Sequence, residues 1–564
     1  MPMFRTPFTN LRRSIEQWLN TTSFKVPIVG EFKSTKPQTA FRTPLTNLKR
    51  AVEHWPSATA FKLPIVDANS NHISGYDAIT FQEFYNDVEY MASYWYTKLS
   101  DSQVPPGSVV GLCLRGHEYI DLLHIYGIMR AGYVPQMFIV EVLDAMLKSS
   151  DARALVYHEE YSSRVKSSTN TLLQAFPSAA ISDLKESQIP IPQRESEHRG
   201  DDIAMIFHTS GSTSGLPKHV PWKYRFLDAI MAKAPFFCVP RSESAVQDVD
   251  CCWGTVLHVA AFSLILSSVH HGSCVIMQST ADLSIAEFKS MMTLGGLTRA
   301  MLVPVAVSKV IRECRHNFEL LNSIQTLDPI MFGGASLPQD ELDFARGNSI
   351  KLVNLYGCTE SGNMMLSKEN PNYLSPIQTG NNDTQYQFLP VEDHSSERLK
   401  ELVVLPESGD CPPKPFSDED GIFYTGDLWE EITPGQYLHR GRRDDWIKMS
   451  NELKCDAGFI EAEAKKACAG LFSEGIVVGS GYPSPVLVVE VDCDSARHAV
   501  LREEIYHRIS RSEGYQHETV ASPESVIIVP TGSLSRTKAK GNIRRKVVEA
   551  EMKEELDSIF GEFL

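Results

Sequence analysis

Between the apolar segment Ala204-Met-Ile-Phe207 and a Pro-Lys pair, the chain places Thr209-Ser-Gly-Ser-Thr-Ser-Gly-Leu-Pro-Lys218. Gly211 and Gly215 let the backbone take positive φ and approach a ligand closely. The hydroxyls of Thr209, Ser210, Ser212 and Thr213, exposed amides and the Lys218 ammonium are the groups that phosphate oxygens accept from. A polar surface loop is the competing reading. So much hydroxyl and glycine between a strand and a lysine argues against it. The loop is not the P-loop of nucleoside triphosphatases, because no GxxxxGK[ST] occurs.

Further polar groups follow in a fixed order: Val256-Leu-His-Val-Ala-Ala-Phe262, Phe332-Gly-Gly-Ala-Ser-Leu337, Asn354-Leu-Tyr-Gly-Cys-Thr-Glu360, Tyr424-Thr-Gly-Asp427, His439-Arg-Gly-Arg-Arg-Asp-Asp445 and Ser535-Arg-Thr-Lys-Ala-Lys-Gly541. Tyr356 offers a flat face for a base and Asn354 an amide. Thr359 can donate to a phosphate, and Glu360 can hold Mg²⁺, a hard cation that takes oxygen ligands. A carboxylate such as Asp427 can accept from both hydroxyls of a ribose. Taken alone, each has a plain structural reading: a turn, a core histidine, a basic surface.

In order and spacing, these segments resemble the motifs of the AMP-forming acyl-adenylate superfamily, which includes acyl-CoA synthetases, peptide synthetase adenylation domains and luciferases. The loop carries one residue more than the usual form, with Ser214 as the insertion. The resemblance implies that Thr209, Ser210, Gly211, Ser212, Thr213, Gly215 and Lys218 hold phosphates. It places Gly333, Gly334, Ala335, Asn354, Leu355, Tyr356 and Gly357 around adenine, and Asp427, His439, Gly441 and Arg442 around ribose and phosphate. Thr359 and Glu360 act at the α-phosphate and Mg²⁺, and Lys540 is the catalytic lysine, with Lys538 its rival. Asp444 falls at the hinge position. His258 matches a gate histidine beside the acyl pocket and is read here on an apolar strand. Where amino-acid-activating relatives carry an aspartate, this chain has Val259, Ala260, Ala261 and Phe262. An unpaired ammonium would be costly there, so an aryl or aliphatic acid without an α-amino group is expected. Two departures stand out. Ser450-Asn-Glu-Leu453 lacks the glycine beside the pantetheine tunnel, and the lysine motif reads Lys-Gly rather than Gly-Lys. The latter looks most like fungal adenylate-forming reductases, implying secondary metabolism. The implied cofactors are ATP and Mg²⁺, with CoA or a separate phosphopantetheine carrier protein as acyl acceptor.

These motifs need a scaffold. The chain has 564 residues and a formal net charge of -16. That length calls for more than one core, and that charge repels nucleic acid. Eleven cysteines, none in a CxxC pair, signal neither zinc nor a redox pair. No apolar run reaches the ~18 residues that span a bilayer, and the N-terminus lacks a secretory core, so a cytoplasmic location is expected. Phe4-Arg-Thr-Pro-Phe-Thr-Asn-Leu11 recurs as Phe41-Arg-Thr-Pro-Leu-Thr-Asn-Leu48, a local duplication rather than a solenoid.

Apolar runs at Val109–Leu114, Ala154–Tyr157, Ala204–Phe207, Cys274–Met277, Met301–Pro304 and Lys351–Asn354 read as strands with helices between them. That alternation predicts an α/β fold of mixed, largely parallel sheets. After Gly426 comes a hairpin-like stretch, Tyr437–Met449, and then a small α+β module ending in one last helix. The expected division is a duplicated appendage at 1–38, a large adenylate-forming domain at 39–442 and a small, mobile C-terminal domain at 443–564.

Overall fold

The runs read as strands form the middle of two large sheets in the computed structural model. It describes residues 41–561 other than 68–71, 169–172, 187–190, 192–197, 210–216, 242–245, 380–383, 392–397, 451–453, 493, 511–519 and 537–542. In a six-stranded sheet, Gln174–Pro177, Ala154–Tyr157, Val109–Cys113, Val134–Met137 and Ile203–His208 run parallel. His219–Lys223 closes its edge antiparallel to Ile203–His208. A thirteen-stranded sheet has a parallel centre: Leu352–Cys358, Ile330–Gly333, Arg299–Leu302, Val249–Cys252, Cys274–Ile276 and Thr59–Val66. Beyond Leu352–Cys358 this sheet turns antiparallel through Gly362–Ser367, Tyr373–Pro376, Gln436–Arg442, Phe423–Thr433, Leu399–Val404 and Tyr386–Pro390. At the opposite edge Ile73–Thr80 pairs antiparallel with Thr59–Val66, so the parallel strands are flanked by antiparallel pairing on both sides.

Helices fill the space between the two sheets. In Tyr119–Arg130 every residue but Ile120 is buried. Asp121, His124 and Arg130 are buried with the apolar residues, so the helix has almost no solvent face. Each large side chain buried there contributes about 1.5–3 kcal/mol. The single core formed there joins both sheets through Phe61, Val275, Leu112, Phe207 and Trp222. A second core covers the far face of the larger sheet, with Phe288, Met291, Val307 and Leu320.

The second copy of the repeat starts the folded body. Thr43 caps helix Pro44–His54: its hydroxyl accepts from the Thr46 amide at 3.2 Å, and Thr46 Oγ1 accepts from the Thr43 amide at 2.7 Å. The Arg42 guanidinium makes a two-pronged bond to Asp228 at 2.8 and 2.9 Å, and Asn47 Nδ2 donates to Leu266 O at 2.9 Å. The first copy lies outside the described residues.

From Ile447 on, two separate clusters sit on opposite faces of a three-stranded sheet, Glu474–Val478, Val486–Glu490 and Val526–Val529. Val477, Leu487 and Val489 face one, and Ile476, Val486 and Val488 the other, the period-two alternation of a strand. Three local expectations need correction. Tyr437–Met449 is not a hairpin: Gln436–Arg442 pairs with Phe423–Thr433, whereas Trp446–Lys448 pairs with Lys454–Asp456. The last helix is two, Arg545–Glu551 and Lys553–Phe560. Strand Arg299–Leu302 stops before Pro304, which opens helix Pro304–Cys314. No helix among the described residues is long and apolar enough to cross a membrane.

Candidate functional site

The loop from Thr209 to Lys218 joins the antiparallel pair Ile203–His208 and His219–Lys223. The Thr209 amide donates to Lys218 O at 2.9 Å, closing the loop at its base. Ser210, Gly211, Ser212, Thr213 and Gly215 lie outside the described residues. Lys218 is exposed. The next residue is fixed, because both His219 ring nitrogens are engaged, with Gln136 Nε2 at 2.7 Å and Ser149 Oγ at 2.8 Å. Burial holds this imidazole below its ordinary range.

In the other large sheet, the turn after Leu352–Cys358 carries Thr359 and Glu360. Trp222, fully buried on the loop's return strand, donates from Nε1 to Thr359 O at 3.0 Å. This contact ties the loop hairpin to the turn. Glu360 is half-buried. Burial raises its carboxyl above the usual range, while the charges of Arg442 and Lys218 pull it down.

Asp427 is the hub beside it. The Tyr356 hydroxyl donates to Asp427 Oδ2 at 2.6 Å, and His439 Nε2 and Arg442 Nη1 stand 3.4 and 3.6 Å from Oδ1. Burial, then Asp427, push the Tyr356 hydroxyl well above its ordinary range, so it stays a donor. Its ring meets Trp429 edge-on, with centroids 4.7 Å apart. Gly426 adopts φ +75°, and a Cβ there would come within 2.9 Å of Arg442 Nη2.

Asn354 Nδ2 donates to Pro371 O at 2.9 Å, which leaves the side-chain carbonyl as an acceptor. Gly333 is required by packing, since a Cβ would meet Leu355 O at 2.3 Å. Gly334 takes φ +99° and Ala335 is exposed, at the C-terminal end of strand Ile330–Gly333. Gly357 packs its Cα against Gly362, and Gly441 takes φ +83°.

His258 is not on a strand. It is the N-cap of helix Val259–His271, its Nδ1 accepting from the Ala260 amide at 3.3 Å. The Val256 amide donates to Gly116 O at 2.7 Å, which brings the loop after strand Val109–Cys113 against this turn. Lys540 and Lys538 lie outside the described residues. The base of their loop is described: Arg536 bridges to Ile543, and its guanidinium bonds Glu490 at 2.6 and 2.9 Å.

Sequence reading missed several supports. Lys233 is buried at the end of helix Tyr224–Lys233 and bonds the carbonyls of Ser361 and Asn363 and the carboxylate of Asp410. It is the only charge between Ala229 and Val239, a signal that could have marked it. Trp222 carried no such signal.

Residues 48–384 match the AMP-binding enzyme family, and residues 444–564 match the AMP-binding enzyme C-terminal domain. The chain belongs to the AMP-binding enzymes. It is 28% identical over 481 residues to the AMP-binding domain-containing enzyme iboA of Amanita muscaria, covering 81% of this chain and 92% of that one. It is 25% identical to the adenylate-forming reductase stbB of Stachybotrys bisbyi over 76% of this chain, but spans only 40% of the reductase. Among solved structures, O-succinylbenzoate coenzyme A synthetase of Bacillus subtilis in complex with ATP and magnesium superposes with a TM-score of 0.65 at 16% identity. That match covers 89% of this chain and 98% of that one, and shows a common fold.

Proposed function

We propose that this AMP-binding enzyme activates a carboxylic acid with ATP, forming an acyl-adenylate and releasing pyrophosphate. The gathering of Tyr356, His439 and Arg442 around Asp427, and the Trp222 bond that ties the phosphate-loop hairpin to the Thr359–Glu360 turn, carry this reading. Asp427 accepts from the ribose hydroxyls and Arg442 meets ribose and phosphate. Asn354 and the Gly333-Gly334-Ala335 turn receive adenine, the Asn354 carbonyl being free to accept from its amine. Hydroxyls and amides of 209–215 and the Lys218 ammonium hold the phosphates.

A carboxylate oxygen of the acid attacks the α-phosphate in line with the leaving pyrophosphate. Thr359 donates to an α-phosphate oxygen, and Lys540 spreads the charge that develops there. The Glu360 carboxylate, a half-buried hard oxygen donor, has the chemistry that Mg²⁺ requires. When bound, Mg²⁺ supplies neutralisation of phosphate charge. The apolar start of helix Val259–His271, with Val259 and Ala261 buried and no acidic residue in its first turn, fits an acid without an α-amino group. His258 faces the nucleotide or the acid at its N-cap. The 443–564 unit then swings about Asp444, withdrawing Lys540 so that a thiol can take the acyl group. That thiol is CoA or, as the likeness to an adenylate-forming reductase favours, the phosphopantetheine of a carrier protein in trans.

The test is ATP–pyrophosphate exchange with a panel of aromatic and aliphatic acids, followed by addition of CoA. Exchange with at least one acid and not with amino acids is expected. No exchange across the panel would sink the reading, and thioester formation would distinguish CoA from a carrier.

A further inference from the structure

We infer that Lys233 is a positioning residue that sets where the Glu360 carboxylate stands, and so how tightly the protein holds the divalent cation of a metal–ATP pair; this rests on the function proposed above. The Lys233 side chain is 1% exposed and that of Asp410 is fully buried. An ammonium has three N–H groups, and here each has a partner: Asn363 O at 2.7 Å, Ser361 O at 3.3 Å and Asp410 Oδ2 at 2.5 Å. Asp410 in turn accepts from the hydroxyls of Tyr386 and Ser408. Burial, then Asp410, keep the Tyr386 phenol protonated, so it remains a donor.

A buried ion pair is weak evidence for stability, because apolar residues of the same volume commonly serve as well. What this pair adds is direction. Its ammonium grips the carbonyls on either side of Gly362, whose φ of +64° reverses the chain directly after Glu360. On the other flank the Trp222 indole grips the carbonyl of Thr359. The backbone around Glu360 is therefore held at 359, 361 and 363. Both grips come from the segment that follows the phosphate loop, Trp222 four and Lys233 fifteen positions after Lys218. The turn that carries the carboxylate is thereby fixed to the segment that begins at Lys218. Mg²⁺ demands near-octahedral geometry at short distances, so a carboxylate that wanders binds it poorly.

The test uses the full chain and ATP at graded Mg²⁺, with binding read by calorimetry and no acid present. Lys233→Met combined with Asp410→Asn removes both charges and keeps an acceptor for Tyr386 and Ser408. The Mg²⁺ concentration for half-maximal ATP binding should rise about tenfold, the scale on which partners of metal ligands act, while metal-free AMP binding stays within about twofold. A lowered melting temperature with an unchanged Mg²⁺ requirement would overturn the inference, leaving the network a merely structural one. Should that variant fail to fold, Tyr386→Phe removes one bond to Asp410 and leaves the ion pair. Its Mg²⁺ requirement should rise by about twofold or more, and an unchanged value overturns the inference equally. Absence of Mg²⁺-dependent ATP binding by the wild type would instead overturn the proposed function, and this inference with it.

Discussion

Asp427 sits where a tyrosine hydroxyl, an imidazole and a guanidinium meet. Only the first is within close hydrogen-bonding distance, so Tyr356 fixes the carboxylate's orientation. Tyr356→Phe should loosen Asp427 and weaken AMP binding by about fivefold to tenfold, equivalent to about 1–1.4 kcal/mol. Calorimetric titration checks this, and equal affinity would mean that the hydroxyl has no orienting role. The lysine loop invites a separate comparison. Lys540→Ala should lower the adenylation rate by about a hundredfold or more while nucleotide affinity changes little, as expected of a group acting only in the transition state. If Lys538→Ala has that effect instead, the role passes to Lys538.

At the scale of elements, helix Tyr119–Arg130 shows how the interior limits the pH range. His124 on that helix is fully buried and accepts from Trp95 Nε1 at 2.9 Å. Burial pushes its imidazole down to about 3. Below its ordinary value of about 6.5 the unfolded chain takes up a proton that the folded chain refuses. Stability from this residue is therefore present above that value and is lost as pH falls toward 3. The loss approaches about 1.4 kcal/mol per pH unit. The melting temperature should fall more steeply with acidification in the wild type than in His124→Gln, and parallel slopes would contradict this. The same helix explains what could be read from sequence. Tyr119–Met129 was legible as a helix by its helical periodicity, and strands such as Ala154–Tyr157 by their unbroken apolar runs. The motif turns were legible because their glycines answer to backbone geometry, as at Gly333 against Leu355 O. The antiparallel wing was not, because strands such as Tyr386–Pro390 are half-buried and their pattern is diluted. Nor was the grip of Trp222, since a side-chain bond to a carbonyl more than a hundred positions away leaves no local mark, whereas Lys233 was marked only as a lone charge in an apolar stretch.

At the scale of the whole molecule, the residues after Asp445 hold together partly through Arg545. This guanidinium bonds Glu461 and Val477 O, and reaches Asp445 Oδ1 at 3.1 Å. It joins helix Ala457–Ala467, strand Glu474–Val478 and Asp445 in one contact set. Arg545→Met leaves Glu461 without its main counter-charge, at a cost of about 3–5 kcal/mol for a buried pair. Calorimetric melting of this variant should show an early transition from 446–561 alone, with AMP still protecting the later one. A single shifted transition would show that the two cores unfold together. The edge-on packing of Trp429 against Tyr356 has an optical consequence. Of seven tryptophans in the chain, Trp429 lies within 4.7 Å of Tyr356 and 5.0 Å of His439, ring centre to ring centre. Imidazolium quenches indole emission, and an asymmetric aromatic pair gives a near-ultraviolet dichroic band. Emission from this indole therefore reads the packing of Tyr356 and His439 around it, giving nucleotide arrival at Asp427 an intrinsic signal that needs no label.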